Sequence, residues 1–260
     1  MDNRIDVLFR EKKENVLTIY FPAGFPELND TLSILVELEK AGADVVEIGI
    51  PFSDPLADGE TIEMASQKAL QNGISLKLLF EQLKEMRKYV SIPVLLMGYL
   101  NPVYRYGIEQ FCVDCKAVGI DGVILPDLPM REYRKNYQTI FHKNGLKNVP
   151  LITPQTPVER IEELDKEEHG FIYVVASSAT TGAKSGISKE QEDYFARIKA
   201  LQLKTPTQIG FGIADSASFN KACEFTSGAI IGSAFVKAIQ NGGELAVNVK
   251  NFVEFVKVIK

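Results

Sequence analysis

The stretch Val16-Leu-Thr-Ile-Tyr20-Phe-Pro-Ala-Gly-Phe25-Pro-Glu-Leu-Asn-Asp30-Thr-Leu-Ser-Ile-Leu35-Val-Glu-Leu-Glu-Lys40-Ala-Gly-Ala-Asp-Val45-Val-Glu-Ile48 decides the fold. It opens on an apolar, β-branched run, Val16 to Tyr20, and passes a Pro/Gly-rich turn. It then runs from Thr31 to Ala41 with apolar residues spaced near 3.6, stops at Gly42, where a left-handed residue can close a helix, and enters a second apolar run, Val45 to Ile48. That is one β-α-β unit. A strand apolar on both faces needs cover on both faces, which implies parallel strands joined by right-handed helical crossovers.

The same grammar repeats along the chain. Apolar runs recur at Val94 to Met97, Gly122 to Leu125, Val149 to Ile152, Phe171 to Val175, Thr207 to Gly210 and Ala229 to Gly232, making eight strands with the first two. Helical periodicity returns at Leu76 to Tyr89, Ile108 to Val118 and Tyr194 to Leu201, with stop glycines at Gly73, Gly119 and Gly145. An extra helix is expected around Asp2 to Lys13. Eight βα units in about 245 residues match a closed (β/α)8 TIM barrel forming one domain over residues 1–260. The alternative is an open doubly wound sheet. Such a sheet usually carries G-x-G-x-x-G after its first strand, whereas this strand runs into Tyr20-Phe-Pro-Ala-Gly-Phe-Pro26. No low-complexity linker divides the chain.

Composition narrows the function. The chain has 260 residues, 45% hydrophobic and 24% charged, and its 29 Lys+Arg against 34 Asp+Glu give a net charge of −5, which repels a nucleic-acid backbone. Cys112, Cys115 and Cys223 are too few for a disulfide framework and suit a reducing compartment. The first fifteen residues mix both charge signs, unlike a secretory signal, and no apolar run reaches the 18 or so residues of a membrane span. These features predict a cytoplasmic protein that binds neither nucleic acid nor membrane.

In a barrel, chemistry sits on the loops after the strand C-termini. His142 and His169 fall away from those ends, which argues against a histidine triad or a multi-His metal site. No lysine ends a strand, so a Schiff-base nucleophile is missing. Cys112-Val-Asp-Cys115 has half-zinc-site spacing but lies inside a helical pattern with no second pair, and reads as core or helix surface. Carboxylates remain. The two-residue period places Val45, Glu47 and Gly49 on one face of the second strand; facing inward, Glu47 would stand near the barrel top with Gly49 leaving room above it. Burial there would raise its pKa into the range of a general acid/base. The competing reading is a Glu paired with a buried cation.

The loop that follows, Pro51 to Glu60, brings Asp54 and Asp58 over the same mouth, and either could instead stabilise a turn or cap the helix beginning near Thr61. The small, polar segment Ala176 to Ile187 suits a lid. Gly210-Phe-Gly-Ile213 and Ile231-Gly-Ser-Ala234, after the last two strands, could cradle a phosphate with backbone amides and a helix N-terminus. The residues alone thus describe a metal-free enzyme for a small phosphorylated substrate, using carboxylate acid/base catalysis.

The run Glu47-Ile-Gly-Ile-Pro-Phe-Ser-Asp-Pro-Leu-Ala-Asp-Gly-Glu-Thr-Ile62 resembles, almost letter for letter, the signature of the tryptophan synthase alpha chain family. The resemblance extends through Gly42-Ala-Asp44, Asn101-Pro102, Leu125-Pro-Asp-Leu-Pro129, Thr181-Gly182, Gly210 to Ile213 and Gly232-Ser-Ala234. It implies a (β/α)8 barrel that cleaves indole-3-glycerol phosphate to indole and glyceraldehyde 3-phosphate in tryptophan biosynthesis. It makes Glu47 the general acid/base and Asp58 the partner of the indole N–H. Thr181 would be a lid residue contacting the aspartate, and Gly182, Gly212, Gly232 and Ser233 would be phosphate-binding. Tyr20, Met97, Tyr99, Tyr173 and Phe211 would line the indole pocket. Ala179 and Thr180 depart from the glycine and valine common in that lid.

The resemblance further implies a beta-chain partner in an alpha2beta2 assembly. The partner would hold pyridoxal phosphate and this chain no cofactor, with the Pro51 to Glu60 loop, Asn101-Pro102 and Leu125 to Met130 forming part of the interface. Asp127 then faces a loop or partner and is not a third acid. Two rivals stand beside this reading: another phosphate-binding barrel such as a sugar-phosphate isomerase, and a catalytically silent barrel acting as an allosteric or scaffold subunit for a beta chain.

Overall fold

The computed structural model of the chain describes residues 2–55, 58–176, 187–240 and 242–258. Nine strand segments run parallel in one sheet: β1 (Val16–Pro22), β2 (Val45–Gly49), β3 (Val94–Met97), β4 (Gly122–Ile124), β5 (Lys147–Asn148), β6 (Leu151–Ile152), β7 (Ile172–Val175), β8 (Thr207–Gly210) and β9 (Gly228–Ile231). Their order is β5-β4-β3-β2-β1-β9-β8-β7-β6, so the two ends are β5 and β6. These are two pieces of a single stave. Between them the Val149 N–H donates to the Val123 carbonyl at 3.0 Å, and the Pro150 carbonyl accepts from the Tyr173 N–H at 2.9 Å. The ring therefore closes into eight staves, broken only where Pro150 has no N–H to give the ladder.

A closed barrel of this kind slips one residue per strand, so each interior layer draws side chains from alternate staves. Stepping that stagger through the observed pairings gives four layers, from the bottom upward. They are Val45, Gly122, Phe171 and Gly228; Thr18, Leu95, Val149 and Gln208; Glu47, Ile124, Tyr173 and Ile230; and Tyr20, Met97, Leu151 and Gly210. The apolar members pack as one interior cluster, while the other faces of the strands pack against the surrounding helices in the larger core.

The first helix, Arg4–Glu11, seals the bottom. Its buried Ile5 and Phe9 join the interior cluster, with the Phe9 and Phe171 ring centroids 5.9 Å apart. Asn3 caps it by accepting from the Ile5 N–H, which makes the helix shorter than the Asp2 to Lys13 expected. Beside it the buried Asp121 carboxylate accepts from Arg4 at 2.9 Å, Arg87 at 2.6 Å and the Val94 N–H at 2.9 Å. With the lower end closed by packing and ion pairs, only the C-terminal ends of the strands are left to hold a substrate.

The helix expected from Leu76 to Tyr89 ends at Leu83 and resumes as a short turn, Met86–Lys88. Part of the pull is non-local: the Arg87 guanidinium donates to the Gly119 carbonyl and the Asp121 carboxylate, 32 and 34 residues away, as well as to the nearby carbonyls of Val90 and Ile92. The helix expected to begin at Tyr194 begins at Lys189, because Ser188 and Gln191 form a reciprocal capping box. Among the described residues no helix is long and apolar enough to cross a membrane.

Candidate active site

Glu47 faces the barrel interior and is fully buried. Neither carboxyl oxygen has a hydrogen-bond partner among the described residues, which sets aside the buried ion-pair reading. Desolvation raises its pKa from 4.5 to about 8, so at neutral pH the side chain carries a proton it can give. The room expected above it at Gly49 is not vacant. A Cβ at 49 would fall on the Tyr20 hydroxyl, so that glycine exists to admit the tyrosine tip over the carboxyl. The same device recurs across the barrel, where a Cβ at Gly210 would fall on the Tyr173 hydroxyl.

Asp58 stands in the loop after β2, half-buried. Burial is the largest influence on its pKa, which rises from 3.8 to about 6, against a hydrogen bond from the Tyr99 side chain that pulls it down and the Glu63 charge that pushes it up. It does not cap the following helix, Glu60–Gln71, whose N-cap is Gly59. Tyr99 is itself buried and packs on Phe52 with ring centroids 5.6 Å apart. The hydroxyls of Tyr20 and Tyr173 are pushed well above the usual phenol range, first by burial and then by the charges of both Glu47 and Asp58. Two carboxyls and three tyrosines therefore converge on one mouth. Tyr173 stacks edge-on against Phe211 at 6.1 Å, and Met97 lies in the same layer as Tyr20.

After β8 the backbone takes two successive left-handed residues, Phe211 at φ 70° and Gly212 at φ 82°. Phe211 has a side chain and bears the strain this region imposes, a cost tolerated chiefly where geometry matters to function. At Gly212 a Cβ would meet nothing within 4 Å, so it is the backbone turn, not crowding, that favours glycine. Across from it β9 passes through Gly232 into the helix Ser233–Gln240, whose first N–H groups have no partner within the helix. Gly212, Gly232 and Ser233 thus follow the ends of the adjacent strands β8 and β9, where backbone N–H groups can receive an anion.

The remaining sequence candidates divide. Thr181 and Gly182 lie outside the described residues. Asp54 is exposed and accepts from the neighbouring Ser53 hydroxyl at 2.5 Å, a loop contact apart from the buried cluster. Exposed Asp127 accepts from the Leu100 N–H at 2.9 Å, tying the Leu125 to Met130 loop to the segment before Asn101. Cys112 and Cys115 are buried in the helix Ile108–Val118, and burial pushes the Cys112 thiol up to about 12. Buried His169 bonds the Asn148 carbonyl through Nδ1 at 2.9 Å. Among the described residues no group of three or more His, Cys, Asp or Glu could hold a metal ion.

Three features were not read from the sequence: Phe52 under Tyr99, the Gly210–Tyr173 fit, and a buried pair inside the barrel. In that pair the Thr18 hydroxyl donates to Gln208 Oε1 at 2.7 Å. Alternation along β1 and β8 puts both residues on the inward face and was the available signal for them.

Comparison with known proteins agrees along the whole chain. The family model described as tryptophan synthase alpha chain matches residues 8–260. The tryptophan synthase alpha chain of Flavobacterium psychrophilum is 52% identical over 246 residues, covering 95% of this chain and 97% of the relative. That of Bacteroides thetaiotaomicron is 50% identical, covering 92% and 93%. Among solved structures, the tryptophan synthase alpha subunit from Legionella pneumophila str. Paris superposes with a TM-score of 0.88 at 32% identity, covering 98% of this chain and 97% of that one. The tryptophan synthase A-subunit of Pyrococcus furiosus gives 0.85 at 36% identity, covering 95% and 100%.

Proposed function

The chain belongs to the tryptophan synthase alpha chain family, and from that membership together with the mouth just described we propose how it acts. It is a carbon–carbon lyase that cleaves indole-3-glycerol phosphate to indole and glyceraldehyde 3-phosphate in tryptophan biosynthesis. The observation that carries the mechanism is the buried Glu47 carboxyl, without a hydrogen-bond partner among the described residues, whose pKa burial raises to about 8.

The bond to be broken joins indole C3 to the glycerol chain. Protonation of C3 by Glu47 destroys the ring's aromaticity and leaves positive charge on the ring nitrogen. Ionised Asp58, at the same mouth, stabilises that charge through the indole N–H. The Glu47 carboxylate so formed takes the proton of the adjacent glycerol hydroxyl. As the carbonyl forms, the carbon–carbon bond breaks and its electron pair restores neutral indole. One proton leaves Glu47 and one returns, so the enzyme ends as it began. Tyr20, Met97, Tyr99, Tyr173 and Phe211 enclose the indole, Gly182, Gly212, Gly232 and Ser233 hold the phosphate, and Thr181 closes on Asp58. The proton balance is complete without a cofactor in this chain. Activity should fall below about pH 6, as Asp58 protonates, and above about pH 8, as Glu47 loses its proton.

Family membership also implies a beta-chain partner. We propose an alpha2beta2 assembly in the cytoplasm, with pyridoxal phosphate held by the beta chain. The interface would use the Pro51 to Glu60 loop, Asn101-Pro102 and Leu125 to Met130, the last of which Asp127 fastens to Leu100. The test is indole release from indole-3-glycerol phosphate, with and without a beta chain. Weak turnover alone, strong stimulation by the partner and loss of turnover in Glu47→Gln are expected. An inactive wild type in both conditions would instead support the silent-scaffold reading.

A further inference from the structure

Beneath the proposed acid lies a second polar group that the mechanism does not use. Thr18 and Gln208 are both fully buried in the layer under Glu47, in surroundings otherwise made of Leu95 and Val149. The Thr18 hydroxyl occupies Gln208 Oε1, which turns the amide so that Nε2 is its free end. That nitrogen is buried and has no partner among the described residues. Both oxygens of Glu47 are in the same condition one layer above. Burying a donor and an acceptor unpaired is costly for each, and here they face a common interior from adjacent layers.

We infer that Gln208, oriented by Thr18, is a positioning residue that donates a hydrogen bond from Nε2 to the Glu47 carboxylate each time that side chain releases its proton. The inference rests on the lyase reading above. In the resting enzyme Glu47 is neutral and its need for a donor is modest; once the proton has moved to carbon, a carboxylate stands in a dry layer. Among the described residues the other titratable groups around it are the hydroxyls of Tyr20 on β1 and Tyr173 on β7, and the carboxyl of Asp58 from the loop above. The amide beneath supplies a preorganised dipole where the charge develops. Substrate enters from the mouth, so Gln208 acts through Glu47 and does not touch it.

The test replaces both members by apolar side chains of similar shape, Thr18→Val with Gln208→Leu, so that neither is left unpaired. An N–H donor favours the ionised carboxyl, so its loss raises the Glu47 pKa. The alkaline limb of the indole-release profile should move up by about one pH unit, a tenfold change in the proton equilibrium. At pH 7 kcat should fall about tenfold with KM unchanged within about twofold, the pattern of an interaction made only in the transition state. Gln208→Met, close in length to glutamine, should reproduce the shift, and a thermal unfolding midpoint at or above wild type should accompany the double variant. An unshifted alkaline limb, or a rise in KM with kcat intact, overturns the inference while wild-type activity keeps the lyase reading. A wild type that fails to cleave indole-3-glycerol phosphate overturns both.

Discussion

Replacing Glu47 by glutamine should stabilise the protein while silencing it, and the gain should grow with pH. The side chain titrates at 4.5 in an exposed setting and at about 8 in the barrel, because burial disfavours its charged form. Below pH 4.5 the folded and unfolded chains both hold the proton and no penalty exists. Between the two values the unfolded chain has released it and the folded chain has not. Stability therefore declines as pH rises, by about 1.4 kcal/mol per pH unit, and levels off above about 8. The full cost is about 5 kcal/mol, a large fraction of the 5–15 kcal/mol typical of a domain. Glutamine keeps the shape and is neutral throughout. Urea unfolding of wild type and Glu47→Gln at pH 5, 6, 7 and 8 should show the difference in unfolding free energy moving in the variant's favour by about 4 kcal/mol across that range. Parallel stability profiles for the two proteins would refute the reasoning.

Three further perturbations probe the surroundings. Gly210→Ala puts a methyl group where the Tyr173 hydroxyl and ring edge sit, so turnover should drop at least tenfold in the indole-release assay. Tyr99→Phe removes the hydrogen bond that holds the Asp58 pKa down, so the acidic limb of the activity profile should move toward neutrality while the alkaline limb stays. Asp121→Ala leaves Arg87 facing the closed end of the barrel without its carboxylate and should cost about 3–5 kcal/mol in urea unfolding, with KM unchanged in the fraction that remains folded.

What the sequence disclosed follows from how local each determinant is. The barrel was legible because every stave carries its own apolar run and most helices their own glycine stop, as at Gly42 and Gly119, both left-handed in the structure. Glu47 was legible because a strand's two-residue period needs only the residues beside it. The break of the fifth stave at Pro150 and the early end of the Leu76 helix were not, since the one depends on two neighbouring strands and the other on the Gly119 carbonyl and the Asp121 carboxylate, 32 and 34 residues from Arg87. The capping box at Ser188-Lys-Glu-Gln191 was present in the sequence as a local signal, and it moves the helix start by five residues from the position that apolar spacing gave. At the site, the role of Asp58 came from resemblance, because the burial and the Tyr99 contact that set its pKa arise only when the loops after β2 and β3 meet. The orphaned amide of Gln208 likewise exists only once β1 and β8, 190 residues apart along the chain at Thr18 and Gln208, stand on one interior layer.

The proposed chemistry depends on a carboxyl kept neutral at physiological pH by the dry interior of the barrel. Its most direct test is a titration of the Glu47 side chain by carbon-13 NMR in glutamate-labelled protein, with the resonance assigned by its disappearance in Glu47→Gln. A midpoint of about 8 is predicted. A midpoint near 4.5, the ordinary value for a glutamate in water, would contradict it.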